Sequence, residues 1–126
     1  MRISDIEIRL CRRRASPMAD SEMRDGRRSD LEFLVVTLTT DEGLSASTFG
    51  FAGRGAKGAG EIAAASLKPF FLGRDPMFRE KHWQDFRTAD RWWHLVPIYS
   101  YGPFDIACWL LSAQAAGQPL YQYRRL

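Results

Sequence analysis

The chain has 126 residues, enough for one domain and too few for two ordinary ones. Hydrophobic residues at 45% and aromatics at 13% supply a packed core and exclude wholesale disorder. The net charge of +3 is too small an excess to point to nucleic acid, and no apolar run approaches the roughly 20 residues of a membrane span, so neither is an expected partner.

The N-terminus mixes charge into its apolar positions, unlike a signal peptide. Cys11 and Cys108 lie far apart and read as free thiols of a cytoplasmic protein. From Ile3 to Arg12 the residues alternate: Ile6, Ile8 and Leu10 point one way, Glu7, Arg9 and Cys11 the other, which predicts a half-buried strand. Arg13 to Asp30 has no period and is rich in Arg, Asp and Ser, so it predicts a long loop. Of the 18 basic residues 15 are Arg, and eight of these fall in the first 28 positions. Such a cluster suits a phosphate or carboxylate, and equally a solvated loop.

Glu32 to Thr40 is β-branched and apolar on both faces, the strongest strand signal in the chain. Asp41-Glu42-Gly43 is a tight turn, and Leu44 to Phe49 returns as a third strand. So short a connection forces antiparallel pairing. Gly50 to Gly60 predicts a flexible loop, with a helix from about Glu61 that Pro69 ends or kinks. Asp75-Pro76 predicts a helix start, with Phe78, His82 and Phe86 along one apolar side. A last, buried helix begins between Pro97 and Pro103 and runs to about Ala116, where Gly117 stops it. Strands first and helices after predict an α+β fold: a three-stranded antiparallel meander sheet followed by a helical bundle, spanning 1–126 as one domain.

Few residues offer chemistry. Gly53 to Gly58 fits G-x-G-x-x-G, yet that fingerprint needs a parallel βαβ unit, and the strand before it is the second arm of a hairpin. His82 reads as a structural histidine on the inner side of a helix, and His94 as part of a cluster with Trp92 and Trp93. Asp105 is the one carboxylate in the buried helix and must be bonded to backbone N–H groups or paired with an Arg such as Arg91. Tyr99 and Tyr101 read as core packing. No nucleophile–base pair, carboxylate cluster or metal-ligand spacing stands out.

The stretches VVTLTTDEGLSASTFGF, LKPFFLGRDP and FDIACWLLSAQAAGQPLYQ resemble the N-terminal capping domain of the enolase superfamily, in its mandelate racemase and muconate lactonizing branch. Asp105-Ile106-Ala107-Cys108-Trp109 and the Pro119-Leu120-Tyr121 tail carry the resemblance furthest, while Leu110 stands where an Asp is usual. The resemblance implies a partner, a C-terminal TIM-like barrel that this chain lacks. It implies that Mg²⁺ and the proton-abstracting bases belong to that barrel, and that the chain alone has no catalytic or metal-binding residues. It implies a carboxylate substrate such as a sugar acid, racemised or dehydrated in a homo-oligomeric enzyme. Two loops would cover the substrate. In the first, Met18, Met23 and Arg24 are the expected substrate-facing residues; in the second, Phe49, Phe51 and Arg54. The rival readings are a freestanding basic binding module and an inactive truncated remnant that self-associates.

Overall fold

A computed structural model describes residues 1–13, 31–51, 56–93 and 96–125. Three strands, β1 (Ile3–Arg13), β2 (Leu31–Thr40) and β3 (Ser45–Phe51), form an antiparallel sheet in the order β1-β2-β3. The expected meander is present. The register pairs Ile6 with Leu38 and Leu10 with Leu34 across β1 and β2, and Val36 with Thr48 across β2 and β3. Alternation therefore sends Ile6, Leu34, Val36, Leu38 and Ala46 to one face, where they are buried under the helices. Leu10 shares that face but stays exposed.

The helical part begins earlier than the sequence suggests. Gly50 and Phe51 extend β3, and α1 (Ala56–Ile62) starts five residues before Glu61. The reason is burial: Ala56 and Ala59 press their small side chains into the core, and this outweighs the low helix propensity of Gly58 and Gly60. The stretch expected to be one long glycine loop is thus split between a strand and a helix, and only 52–55 lie outside the described residues. Nor does Pro69 end the helix. A π-helical turn, Ala63–Leu67, with the Lys68 N–H bonded to the Ala63 carbonyl, precedes α2 (Lys68–Phe71). Pro69 sits in the first turn of α2, where its missing N–H costs nothing.

Asp75 caps a turn and not the helix itself. Its Oδ1 accepts the Met77 N–H at 2.9 Å, the Phe78 N–H bonds the Asp75 carbonyl, and α3 (Arg79–Trp93) begins one turn later. His82 and Phe86 are buried as expected, whereas Phe78, ahead of the helix, is exposed. The connection between α2 and α3 is tied to the sheet: the Ile3 N–H bonds Arg74 O, and the Gly73 N–H bonds Ile3 O.

α4 (Ile98–Ala115) runs across the sheet, and α5 (Leu120–Tyr123) follows a turn in which Gly117 takes φ +65°, a conformation that suits the expected stop residue. α4 buries Tyr101, Phe104, Ala107, Cys108 and Leu111. Phe71, Phe104, Tyr101 and Phe86 form a ring cluster with centroids 4.5–5.4 Å apart along its contacts, at the junction of α2, α3 and α4. Tyr101 is in this core, but Tyr99 is exposed, contrary to expectation.

Candidate functional site

Two surface features carry unspent chemistry. The first lies at the end of the sheet where β1 leaves and β2 enters. Arg13 and Leu31 are directly paired, and Phe49 is opposite Val35, so Arg13, Leu31, Phe33 and Phe49 share the face turned away from the helices. They line a cleft of about 290 Å³. The Phe33 and Phe49 rings meet edge to face at 6.3 Å, yet Phe49 is 72% exposed. A phenyl ring left this open forfeits burial worth about 1.5–3 kcal/mol.

Of the eight arginines in the first 28 positions four lie outside the described residues, and three of the other four make local contacts. The Arg2 guanidinium donates to Gly73 O at 2.8 Å, Arg9 pairs with Glu7 at 3.3 Å, and Arg12 pairs with Glu32 at 3.1 Å. Among the described residues Arg13 has no ion-pair partner. Of the six residues expected to face substrate, Phe49 is described and lies exposed on β3. Phe51 ends β3 opposite Phe33 in register, and its side chain lies outside the description. Met18, Met23, Arg24 and Arg54 lie outside the described residues. Arg13, Leu31 and Phe33 were not singled out by sequence reasoning. Their signal was present in the apolar outer face of β2, but only the strand register shows which neighbours join it.

The second feature is a groove of about 690 Å³ between α3 and α4, with Met77, Phe78 and Ile98 exposed on its walls. Inside it the Arg79 guanidinium lies 3.7 Å over the Trp109 ring and donates to Ser112 Oγ at 2.6 Å. Tyr101, only 3% exposed, has a hydroxyl without a hydrogen-bond partner among the described residues, and burial raises its pKa. Asp105 is partnered by the Trp109 indole and the Arg79 charge, and the side chain of Arg91 lies outside the described residues. Cys108 lies beneath, its thiol pushed up to about 12 by burial and inert as a nucleophile. His82 is structural: its Nε2 is 2.6 Å from Asp75 O. His94 lies outside the described residues.

Burial raises the Asp105 carboxyl above its ordinary 3.8, and the Arg79 charge and Trp109 hydrogen bond only partly offset this. The folded chain thus holds this proton more tightly than the unfolded chain. That contribution favours the fold below the ordinary value and is lost as pH rises through the raised one. Asp105→Asn keeps an acceptor oxygen for Trp109 and removes the charge. Its urea midpoint is expected to equal the wild type in acid and to match or exceed it at pH 7. A variant less stable than wild type at pH 7, with the gap closing in acid, would show that the Arg79 attraction outweighs desolvation.

Among the described residues no group of three or more His, Cys, Asp or Glu side chains could hold a metal ion, so these residues do not fit the Mg²⁺ the resemblance implies. No helix of the described residues is long and apolar enough to cross a membrane.

No family model matches the chain. It is 33% identical over 97 residues to a D-galactonate dehydratase family member of Streptomyces bingchenggensis, a match covering 71% of this chain and 22% of that protein. The chain therefore spans about a fifth of the length of the curated relatives it matches. Among solved structures it superposes on a protein of Bordetella bronchiseptica classed as a mandelate racemase, with TM-score 0.80 and 19% identity, over 97% of this chain and 31% of that one. It also superposes on the dipeptide epimerase of Enterococcus faecalis, crystallised with Mg and L-Leu-L-Tyr, with TM-score 0.74 and 20% identity, over 98% of this chain and 34% of that one. In sequence the chain is thus similar to part of D-galactonate dehydratase family members, and it has the fold of about a third of mandelate racemase-like enzymes.

Proposed function

We propose that the chain is the substrate-covering domain of a racemase or dehydratase acting on a carboxylate substrate, in which a C-terminal barrel performs the chemistry. In this reading the barrel binds Mg²⁺ and abstracts the proton α to the carboxylate, and Mg²⁺ stabilises the charge that develops. The chain's own part is to close the loop end of the sheet over the barrel mouth, excluding water and contacting the substrate end that reaches it. The complete enzyme works in the cytoplasm as a homo-oligomer.

One observation carries this reading. This fold accounts for about a third of each solved neighbour, and one end of its sheet leaves an aromatic residue exposed and a cation without an ion-pair partner among the described residues. The apolar α3–α4 groove supports it further, since a surface of this kind is normally covered by a partner. For the freestanding basic module, three of the four described arginines of the cluster, Arg2, Arg9 and Arg12, already have partners.

The test has two arms. The chain alone, with Mg²⁺, is expected to show no turnover on a panel of acid sugars and other α-protonated carboxylates. A chimera in which it replaces the matching segment of the Streptomyces protein is expected to recover turnover that EDTA abolishes. Turnover by the isolated chain overturns the reading, as does a folded, metal-loaded chimera without activity on any of the panel.

A further inference from the structure

β1 is an edge strand, and the hydrogen bonds around it locate its outer edge. The Thr40 N–H donates to Leu44 O and the Gly43 N–H donates to Thr40 O, so the backbone groups of Thr40 turn towards β3. By alternation those of Leu38, Val36 and Leu34 do the same. Their partners on β1 are Ile6, Ile8 and Leu10, whose N–H and C=O groups therefore point away from β2. Ile3, opposite Thr40, obeys the same rule, and its outward groups are taken by Gly73 and Arg74. Beyond Ile3, among the described residues, no strand pairs with this edge. β1 has 11 residues, longer than most strands, and a long edge of this kind is a template for another strand.

A second copy of the chain fits this edge. In an antiparallel pair about a two-fold axis, outward-facing residues must meet outward-facing ones, so even positions of β1 lie opposite even positions. On the face turned away from the helices β1 carries Asp5, Glu7, Arg9, Cys11 and Arg13. Charge then selects the register, because like charges directly opposite repel. An axis at Glu7 sets Glu7 against itself, one at Arg9 sets Arg9 against itself, and one at Ile6 sets Asp5 against Glu7. An axis at Leu10 shortens the pairing and sets Ile8 against Arg12. An axis at Ile8 sets each Glu7 against the Arg9 of the other copy. It also brings Leu10, 47% exposed, opposite Ile6 on the helix side. Glu7 and Arg9 already meet within one strand at 3.3 Å, and both are more than half exposed, so the four charges can join without unburying any of them. Charges normally guard a sheet edge against strangers. These ones are complementary to their own copy.

We propose that β1 is a self-association edge: two copies of the chain pair their first strands antiparallel about a two-fold axis at Ile8 and join their sheets into one. The contact is isologous, so it closes at a dimer and leaves no second copy of the same edge open. The register shift between Ile3 and Asp5 and the Gly73–Arg74 segment bound it at one end. It supplies a contact surface for the homo-oligomer of the proposed reading, yet stands without that reading, because it needs neither barrel nor substrate.

The test takes the 126-residue chain and reads its mass by sedimentation over a range of concentrations. A dimer is expected, and the amides of Ile6, Ile8 and Leu10 are expected to exchange with solvent more slowly as it forms. Glu7→Arg and Arg9→Glu each set like charges opposite one another, and each is expected to weaken the dimer about tenfold or more. Mixed one to one, the two variants place opposite charges across the axis again and are expected to regain the wild-type affinity. Misfolding cannot produce that rescue, since each variant keeps like charges within its own strand. A monomer at every concentration overturns the proposal, as does a dimer that both variants leave intact. Variants weakened singly and not repaired by mixing overturn it too, because the charges then act within one strand. Protection of the three amides that does not change with concentration shows the edge covered by the chain's own residues and likewise overturns it. The chimera's turnover decides the parent reading separately.

Discussion

Phe71→Ala is expected to lower the stability of the domain by about 3–5 kcal/mol, read as a fall in urea midpoint at unchanged slope. Phe71 is 1% exposed and ends α2, the point where the first helical run meets the rest of the bundle. Its ring stacks on Phe104 at 5.2 Å and 15°, lies 5.4 Å from Tyr101, and meets the edge of Phe70 at 5.0 Å. These neighbours come from α2 and α4, and His82 of α3 closes the fourth side at 6.2 Å. Three separately anchored elements cannot all move in to fill the hole, so the cavity persists. Against a total stability of about 5–15 kcal/mol, this one change removes about a fifth or more. Leu72→Ala, at the exposed position next in sequence, serves as the control and should stay within about 0.5 kcal/mol. A cost below about 1 kcal/mol for Phe71→Ala would mean that the ring cluster is not the packed centre described here.

Gly50→Ala is expected to cost about 1–3 kcal/mol by overpacking. A Cβ at Gly50 would lie 2.8 Å from Cγ of Pro103, whose ring is buried in the second turn of α4. Helix and strand cannot slide apart to make room, because Thr48 Oγ1, two residues away on β3, donates to the Pro103 carbonyl at 2.8 Å. The cause can be isolated. Pro103→Ala removes the opposing carbon, so the double variant should recover about 1 kcal/mol relative to the sum of the singles in a double-mutant cycle. Strict additivity would place the cost of Gly50→Ala in the strand backbone and not in this contact. Because Gly50 adjoins Phe49, the same strain should also disturb the aromatic cleft.

How far the fold was legible depended on the range of the force involved. The alternation of Ile6, Ile8 and Leu10, the β-branched run to Thr40 and the turn at Asp41-Glu42-Gly43 are local signals, and β1, β2 and β3 follow them to within one or two residues. Gly117 marked the end of α4 for the same reason, since only its own backbone had to accept a positive φ. The helix starts were misplaced where tertiary packing overrode local preference. Ala56 joined α1 because the core had room for a small residue there. Asp75 offered a genuine capping oxygen but spent it on the Met77 N–H one turn ahead of α3.

The candidate site divides in the same way. Phe49 could be picked out because it ends a strand beside a glycine-rich stretch. Arg13 and Phe33 could not, since 20 residues separate them and only pairing through the sheet brings them to one cleft. Asp105 was recognisable as a buried carboxylate in need of a partner, yet its partners are a side chain one turn along α4 and Arg79 from another helix.

By itself, then, the amino-acid order determined the antiparallel meander, the succession of strands and helices, and the family likeness, because periodicity and turn chemistry act between near neighbours. The tertiary structure alone decided which arginines are already paired, which aromatic residues stay exposed, and which residues of β1 turn their backbone to the edge of the sheet. Those outcomes hang on register and burial, which join residues far apart in the chain and leave no mark on either residue taken singly.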